Sequence, residues 1–179
     1  MNTASEIISD ETLDKMKESG FNTVQVLLIG KWEEGKIVFN EVNNRAILND
    51  IVAIKKKGMA VWVALDMAGG PPVPGVKLGE SYEKFKPAFL NLVDISSKLM
   101  EQYQVEYLRV NNEPDKYFSE QTSWGSKEQI NNYLADFFVS TTLSAKEDFK
   151  GKLINKITLV RQHDQRVIDA SLQNVDIAG

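Results

Sequence analysis

Residues 105–115 read Val-Glu-Tyr-Leu-Arg-Val-Asn-Asn-Glu-Pro-Asp, or VEYLRVNNEPD. The run opens as a strand and closes in two amides, a carboxylate and a proline. A strand that only has to stop can use Gly, Asn or Pro. A glutamate behind two asparagines at that point marks a site, with Glu113, Asn112 and Asn111 as candidates. Asn111 either joins the site or caps the turn. Strict alternation puts Leu108 and Val110 on one face of this strand and Tyr107, Arg109, Asn111 and Glu113 on the other.

On either side of this run, helical and strand patterns alternate. Residues 10–19 read as a helix, with Ser9 or Asp10 as cap and Gly20 as stop. Residues 22–29 are β-rich. Residues 44–57 carry the stripe Ile47, Leu48, Ile51, Ile54 and end at Gly58. Residues 60–66 form a strand, closed by the proline-rich loop Gly69–Gly75. A helix follows over 82–102, with Pro87 as a candidate first-turn residue. Beyond the 105–111 strand, Ser126 and Gln129 form a capping box for a helix over 127–149. A strand at 154–160, a helix at 165–173 and a short strand at 175–178 complete the chain.

Strands alternate with helices five times, which predicts an α/β fold of right-handed βαβ units on a parallel sheet. The strand faces choose between an open doubly wound sheet and a (β/α)₈ barrel. A doubly wound sheet buries both faces, and its strands are almost wholly apolar. Here Val24, Val26 and Leu28 oppose Gln25, and Val61, Val63 and Leu65 oppose Trp62, Ala64 and Asp66. An interior that accepts such residues, with carboxylates at the C-terminal strand ends, suits a barrel. Residues 29–35, Ile-Gly-Lys-Trp-Glu-Glu-Gly, lack the glycine fingerprint of dinucleotide folds, and no phosphate-binding loop occurs.

The totals narrow the function. The chain has 179 residues, 42% hydrophobic and 26% charged, which is enough for one globular domain. A net charge of -4 disfavours nucleic acid and anionic membranes as partners. Lys55-Lys56-Lys57 ends a predicted helix and suits its dipole. No cysteine is present, so disulfides, thiolate zinc sites and cysteine nucleophiles are excluded. A single histidine, His163, rules out multi-histidine metal sites. Asp66, Glu113, Asp115 and Asp164 show no spacing that demands Mg²⁺ or Ca²⁺, so neither metal nor cofactor is expected. No stretch approaches the roughly 20 apolar residues of a membrane helix. The N-terminal MNTASEIISDETLDK lacks the pattern of a signal peptide.

Asn112-Glu113-Pro114, at the end of this strand, resembles the Asn-Glu-Pro signature of clan A glycoside hydrolases. Gly20-Phe-Asn-Thr-Val24 resembles the opening of strand two in that clan. Gly58-Met-Ala-Val-Trp-Val-Ala-Leu-Asp66 resembles the approach to strand three. The resemblance covers about residues 9–118. It implies a (β/α)₈ barrel that cleaves β-linked sugars with retention, with Glu113 as acid/base and Asn112 on the sugar 2-hydroxyl. It also implies a second glutamate, the nucleophile, at the end of strand seven. Gln25 stands where the clan usually has arginine.

Such barrels need about 250 residues. Counted against one, the strands here correspond to two through six, the first preceding Met1 and the last two following Gly179. The chain is therefore expected to be one domain over 1–179, a partial barrel that lacks the nucleophile. Its open sheet edges are expected to drive self-association or to be covered by its termini.

A general acid works best with its pKa lifted towards neutrality. Flanked by amides, Glu113 is expected to have a raised pKa. Other candidates for contact with a β-linked oligo- or polysaccharide are Asp66, His163, Trp124 and Tyr117. Asp66 either meets ligand or bonds the next loop. His163 either faces the site or packs its own loop. Trp124 and Tyr117, in the loop after Pro114, either stack on sugar or pack inward. Three functions remain open. One is part of a retaining glycosidase. Another is a carbohydrate-binding or interaction module without catalysis. The third is an unrelated barrel enzyme for a small carbonyl or phosphate substrate.

Overall fold

The computed structural model describes residues 8–39, 41–67, 78–158 and 164–178. Its strands are β1 (Thr23–Glu33), β2 (Lys36–Phe39), β3 (Ala60–Met67), β4 (Tyr107–Asn112), β5 (Lys152–Lys156) and β6 (Ile177–Ala178). Its helices are α1 (Asp10–Glu18), α2 (Glu41–Lys56), α3 (Tyr82–Gln102), α4 (Pro114–Ser119), α5 (Lys127–Asp148) and α6 (Gln165–Leu172). The sheet order is β2-β1-β3-β4-β5-β6. All pairs are parallel except the β1–β2 hairpin. This is the α/β alternation of a partial (β/α)₈ barrel, open among the described residues, with β2 and β6 at its edges. No described helix is long and apolar enough to cross a membrane.

Alternation in the strands decides which face the helices cover. Val24, Val26, Leu28, Val61, Val63, Leu65, Leu108 and Leu153 are buried in one core. Ile47, Ile51 and Ile54 of α2, Phe85, Phe89 and Leu92 of α3, and Leu134 and Phe137 of α5 complete it. On the opposite face Gln25 and Leu27 are exposed and Trp62 and Tyr107 half-buried. At the N-terminal ends of the strands, Glu106 accepts hydrogen bonds from the Val61 amide (2.8 Å) and Lys55 Nζ (2.6 Å), joining β3, β4 and α2. The capping box of Ser126 and Gln129 forms as expected.

Four local readings change. The first strand does not end at Ile29 but runs on to Glu33. Glu34 (φ 48°) and Gly35 (φ 84°) then make a two-residue turn with both residues left-handed, the geometry that closes a hairpin. The third helix begins at Tyr82, so Pro87 lies inside it rather than at its first turn. The segment after Pro114 is not only a loop: Pro114 starts α4 at a position where its missing N–H is harmless.

The fourth change is a register shift in β4 between Arg109 and Asn111. A bulge reverses side-chain alternation. Asn111 therefore turns into the helix layer instead of sharing a face with Arg109. Its Nδ2 donates to Thr141 Oγ1 (2.8 Å) on α5 and to Asn155 Oδ1 (2.7 Å) on β5. Asn155 Nδ2 in turn donates to Thr142 Oγ1 (3.2 Å) and to the Ser171 carbonyl (3.1 Å) on α6. Asn111, Asn155 and Thr141 are all at most 1% exposed. Removing one member leaves buried polar partners unsatisfied. Asn111→Ala is expected to cost about 2 kcal/mol of stability, read as a lower urea midpoint with unchanged secondary structure by circular dichroism.

Candidate functional site

Parallel pairing of β3 with β4 and of β4 with β5 brings three strand ends together at the C-terminal edge of the sheet. Asp66 comes from β3, Asn112 from the end of β4, Glu113 from the turn between β4 and α4, and Lys156 from β5. The turn into α4 adds Lys116 and Tyr117.

Asp66 is the hub of this cluster and is only 4% exposed. One carboxylate oxygen, Oδ1, accepts from the Tyr117 hydroxyl and from the Met67 amide (2.8 Å). The other, Oδ2, accepts from Asn112 Nδ2 (3.0 Å). Asn112 Oδ1 accepts from Arg109 Nη1 (2.8 Å). The Arg109 guanidinium lies over the Trp62 ring, 4.3 Å from its centroid, in a cation–π contact. Among the described residues, Arg109 Nε and Trp62 Nε1 are buried without a hydrogen-bond partner.

These surroundings set the protonation states. Burial pushes the Asp66 carboxyl up, and the nearby Glu113 charge adds to this, against the hydrogen bonds from Tyr117, Met67 and Asn112. Burial, together with the bond to Asp66, also raises the Tyr117 hydroxyl. The side-chain network therefore holds the Asn112 amide between Asp66 and Arg109, with Tyr117 fixing Asp66 from the far side.

Glu113 behaves otherwise than expected. Its backbone is left-handed (φ 55°), and its amide donates to the Lys156 carbonyl (3.0 Å). Its carboxylate is flanked by two cations rather than by amides. Lys156 Nζ is 2.5 Å from Oε1, and Lys116 Nζ pairs with Oε2. Burial pushes the Glu113 carboxyl up, but the hydrogen bonds and charges of the two lysines outweigh it and hold it at about 2. The expected raised pKa is thus reversed.

The other candidates separate. Tyr117 joins the cluster through its hydroxyl. Asn111 points away from it. Trp124 is packed among Tyr82, Phe85 and Phe118, and its Nε1 donates to the Gly79 carbonyl (3.4 Å). His163 and the Gly69–Gly75 loop lie outside the described residues. Asp115 is buried and accepts from the Thr158 amide (3.2 Å), and Asp164 caps α6. No three carboxylate or histidine groups among the described residues are placed to share a metal ion.

Lys116 and Lys156 were not singled out from the sequence. Lys116 had a legible signal, three residues after Glu113 on a helix started by Pro114. Lys156 had none, because only the pairing of Asn112 with Lys156 across β4 and β5 brings it near.

The same architecture occurs in clan A glycoside hydrolases of known structure. A family GH113 β-1,4-mannanase superposes with a TM-score of 0.64 at 14% identity, over 94% of this chain and 54% of that one. A glycoside hydrolase family 5 enzyme from Prevotella bryantii B14 gives 0.65 at 14%, over 94% and 50%. A fungal β-1,4-galactanase gives 0.66 at 12%, over 95% and 54%. The chain spans about half the length of these proteins, and at such identities the likeness is one of fold. No family model matches the sequence, and no curated protein does either.

The ion pairs make Glu113 a titration probe. Its folded pKa lies below its unfolded value of about 4.3, so its contribution to stability is complete above that pH. It is lost as the pH falls towards about 2. Carboxyl-carbon NMR is expected to find Glu113 titrating far below the other glutamates, and Lys156→Met to move it upward.

Proposed function

We propose that this chain is a carbohydrate-binding segment of a glycoside hydrolase-type barrel, holding a β-linked oligosaccharide at the ends of β3 and β4. In this reading Glu113 is a charged hydrogen-bond acceptor for sugar hydroxyls, and Asn112, held by Asp66 and Arg109, orients a neighbouring hydroxyl. The observation that carries the reading is the pair of lysines on Glu113. A carboxylate held between two ammonium groups is kept well below the usual carboxylate range, which works against giving a proton to a leaving oxygen. It remains a strong acceptor, because hydrogen bonds to ionised groups are the strong ones. The fold shared with a mannanase and a galactanase supports β-linked hexose chains as the ligand class.

A second reading is retaining hydrolysis with Glu113 as acid/base. The position of Asn112-Glu113 at the end of β4 in this fold favours it. That chemistry needs another carboxylate about 5–5.5 Å away to attack the anomeric carbon. Asp66 is a poor candidate. It is buried, and both its oxygens are engaged by Tyr117, Met67 and Asn112. A nucleophile would come from additional sequence or from another chain.

The deciding experiment is calorimetric titration with β-1,4-manno- and galacto-oligosaccharides, alongside hydrolysis of the same sugars and of aryl β-glycosides. Expected are binding without turnover and a loss of about tenfold or more in affinity in Asn112→Ala. Turnover that falls about a hundredfold in Glu113→Gln would replace this reading by the second. Absence of binding by the folded protein would remove both.

A further inference from the structure

Away from the Asp66–Asn112–Glu113 cluster, the β1–β2 hairpin, the start of α3 and the turn after α4 enclose a groove of about 990 Å³. The hairpin extends from the C-terminal end of β1. The other two walls lie in the connections that follow β3 and β4. The groove therefore opens at the same end of the sheet as Glu113.

One wall is the indole of Trp32, partly exposed and held in place from within. Phe85 packs against it at 5.9 Å between centroids, tilted by 52°. Gly79 presses on it so closely that a Cβ there would lie 2.6 Å from Trp32 Cζ2. Gly79 also has φ +98°, a conformation that disfavours any side chain. Its carbonyl is anchored by Trp124 Nε1. The indole is thus set in one orientation by the same aromatic cluster that forms the core beneath it.

Among the described residues, the remaining lining is polar and bears more negative than positive charge. Glu34, Glu80 and Glu120 line it together with Lys84, which is paired with Glu80. Thr122 and Ser123 contribute exposed hydroxyls. An anionic polymer is disfavoured by that sign of charge. A ligand with an apolar face for the indole and many hydroxyls for carboxylates and side-chain hydroxyls fits, and that is the description of a pyranose chain. The volume lies at the upper end of the roughly 300–1,000 Å³ typical of ligand pockets, which suits an oligosaccharide better than a monosaccharide.

We infer that this groove is a second carbohydrate subsite, which takes a neutral β-linked oligosaccharide with one sugar ring against Trp32. This rests on the carbohydrate reading of the strand-end site, and it adds a platform that this site does not contain. Fixing the indole in advance lowers the ordering cost of binding. Acceptors around the rim then set the orientation of the ring.

The test uses β-1,4-mannohexaose and a galactan hexamer. N-bromosuccinimide oxidises accessible indoles, and mass spectrometry of the peptides separates Trp32 from Trp62 and Trp124. Saturating hexaose is expected to slow Trp32 oxidation several-fold and to leave buried Trp124 unchanged. Trp32→Leu is expected to weaken hexaose binding about tenfold with the disaccharide affinity unchanged, and Trp32→Tyr to restore most of it. If Trp32→Leu does not fold, the protection result on the unaltered protein decides. Binding that depends on Asn112 but neither protects Trp32 nor responds to its replacement overturns the subsite and leaves the strand-end reading standing. Protection by a cationic glucosamine oligomer alone overturns the neutral class. No sugar binding at all overturns both proposals.

Discussion

A one-residue bulge in β4 decides which of two adjacent asparagines faces the helices and which faces the strand-end site. Asn111 goes to the helices, where it joins Thr141 and Asn155 and ties β4 to β5, α5 and α6. Asn112 goes to the strand ends, where it links Asp66 to Arg109. Without the extra residue, Asn111 would share the face of Arg109, and Asn112 would point into the core. A buried amide is stable only with its partners in place. The Asn111 network therefore holds the bulge that presents Asn112, and the polar part of the core supports the site.

Glu113 follows directly from this. Its left-handed backbone turns the chain from β4 into α4, and Pro114 begins that helix at once. Lys116 then lies one turn away on the same helix side, and Lys156 arrives at the end of the paired strand β5. A carboxyl between two ammonium groups is stabilised as the anion, and this outweighs the opposing effect of burial. The same glutamate beside amides alone would be open to the upward shift a general acid needs. The two lysines hold the carboxylate at this strand end as an anion, which accepts hydrogen bonds rather than giving up a proton.

The aromatic cluster connects the core with the mouth. Tyr82, Phe85, Phe118, Trp124 and Phe137 pack between α3, α4 and α5 with centroids about 5–6 Å apart. Trp124 Nε1 reaches the Gly79 carbonyl, and Gly79 in turn bears on Trp32. A ring that in sequence looked available to a sugar thus became a support. Trp32, which carried no such role in sequence, stands at the surface. Exchange of roles between two tryptophans is invisible to periodicity, because burial of Trp124 and exposure of Trp32 follow from packing between α3, α4 and the hairpin.

The α/β rhythm, the helix stops and caps, and the apolar faces of β1 and β3 are written in local residue patterns. The same patterns place Asp66 and Glu113 at strand ends, since a two-residue period and a carboxylate after an apolar run are local facts. The hairpin was encoded in Glu34-Gly35 and the short helix in Pro114, and both were readable from turn and cap chemistry. The bulge at Arg109–Asn111, the clamp on Glu113 by Lys156, the hold of Tyr117 on Asp66 and the burial of Trp124 arise from contacts made in the folded chain. Each depends on the register or packing of segments far apart in the chain, such as Glu113 and Lys156, with 42 residues between them. Charge pairing and hydrogen bonding act through a few ångströms of space, so the protonation state of Glu113 became defined only when β4 and β5 lay side by side.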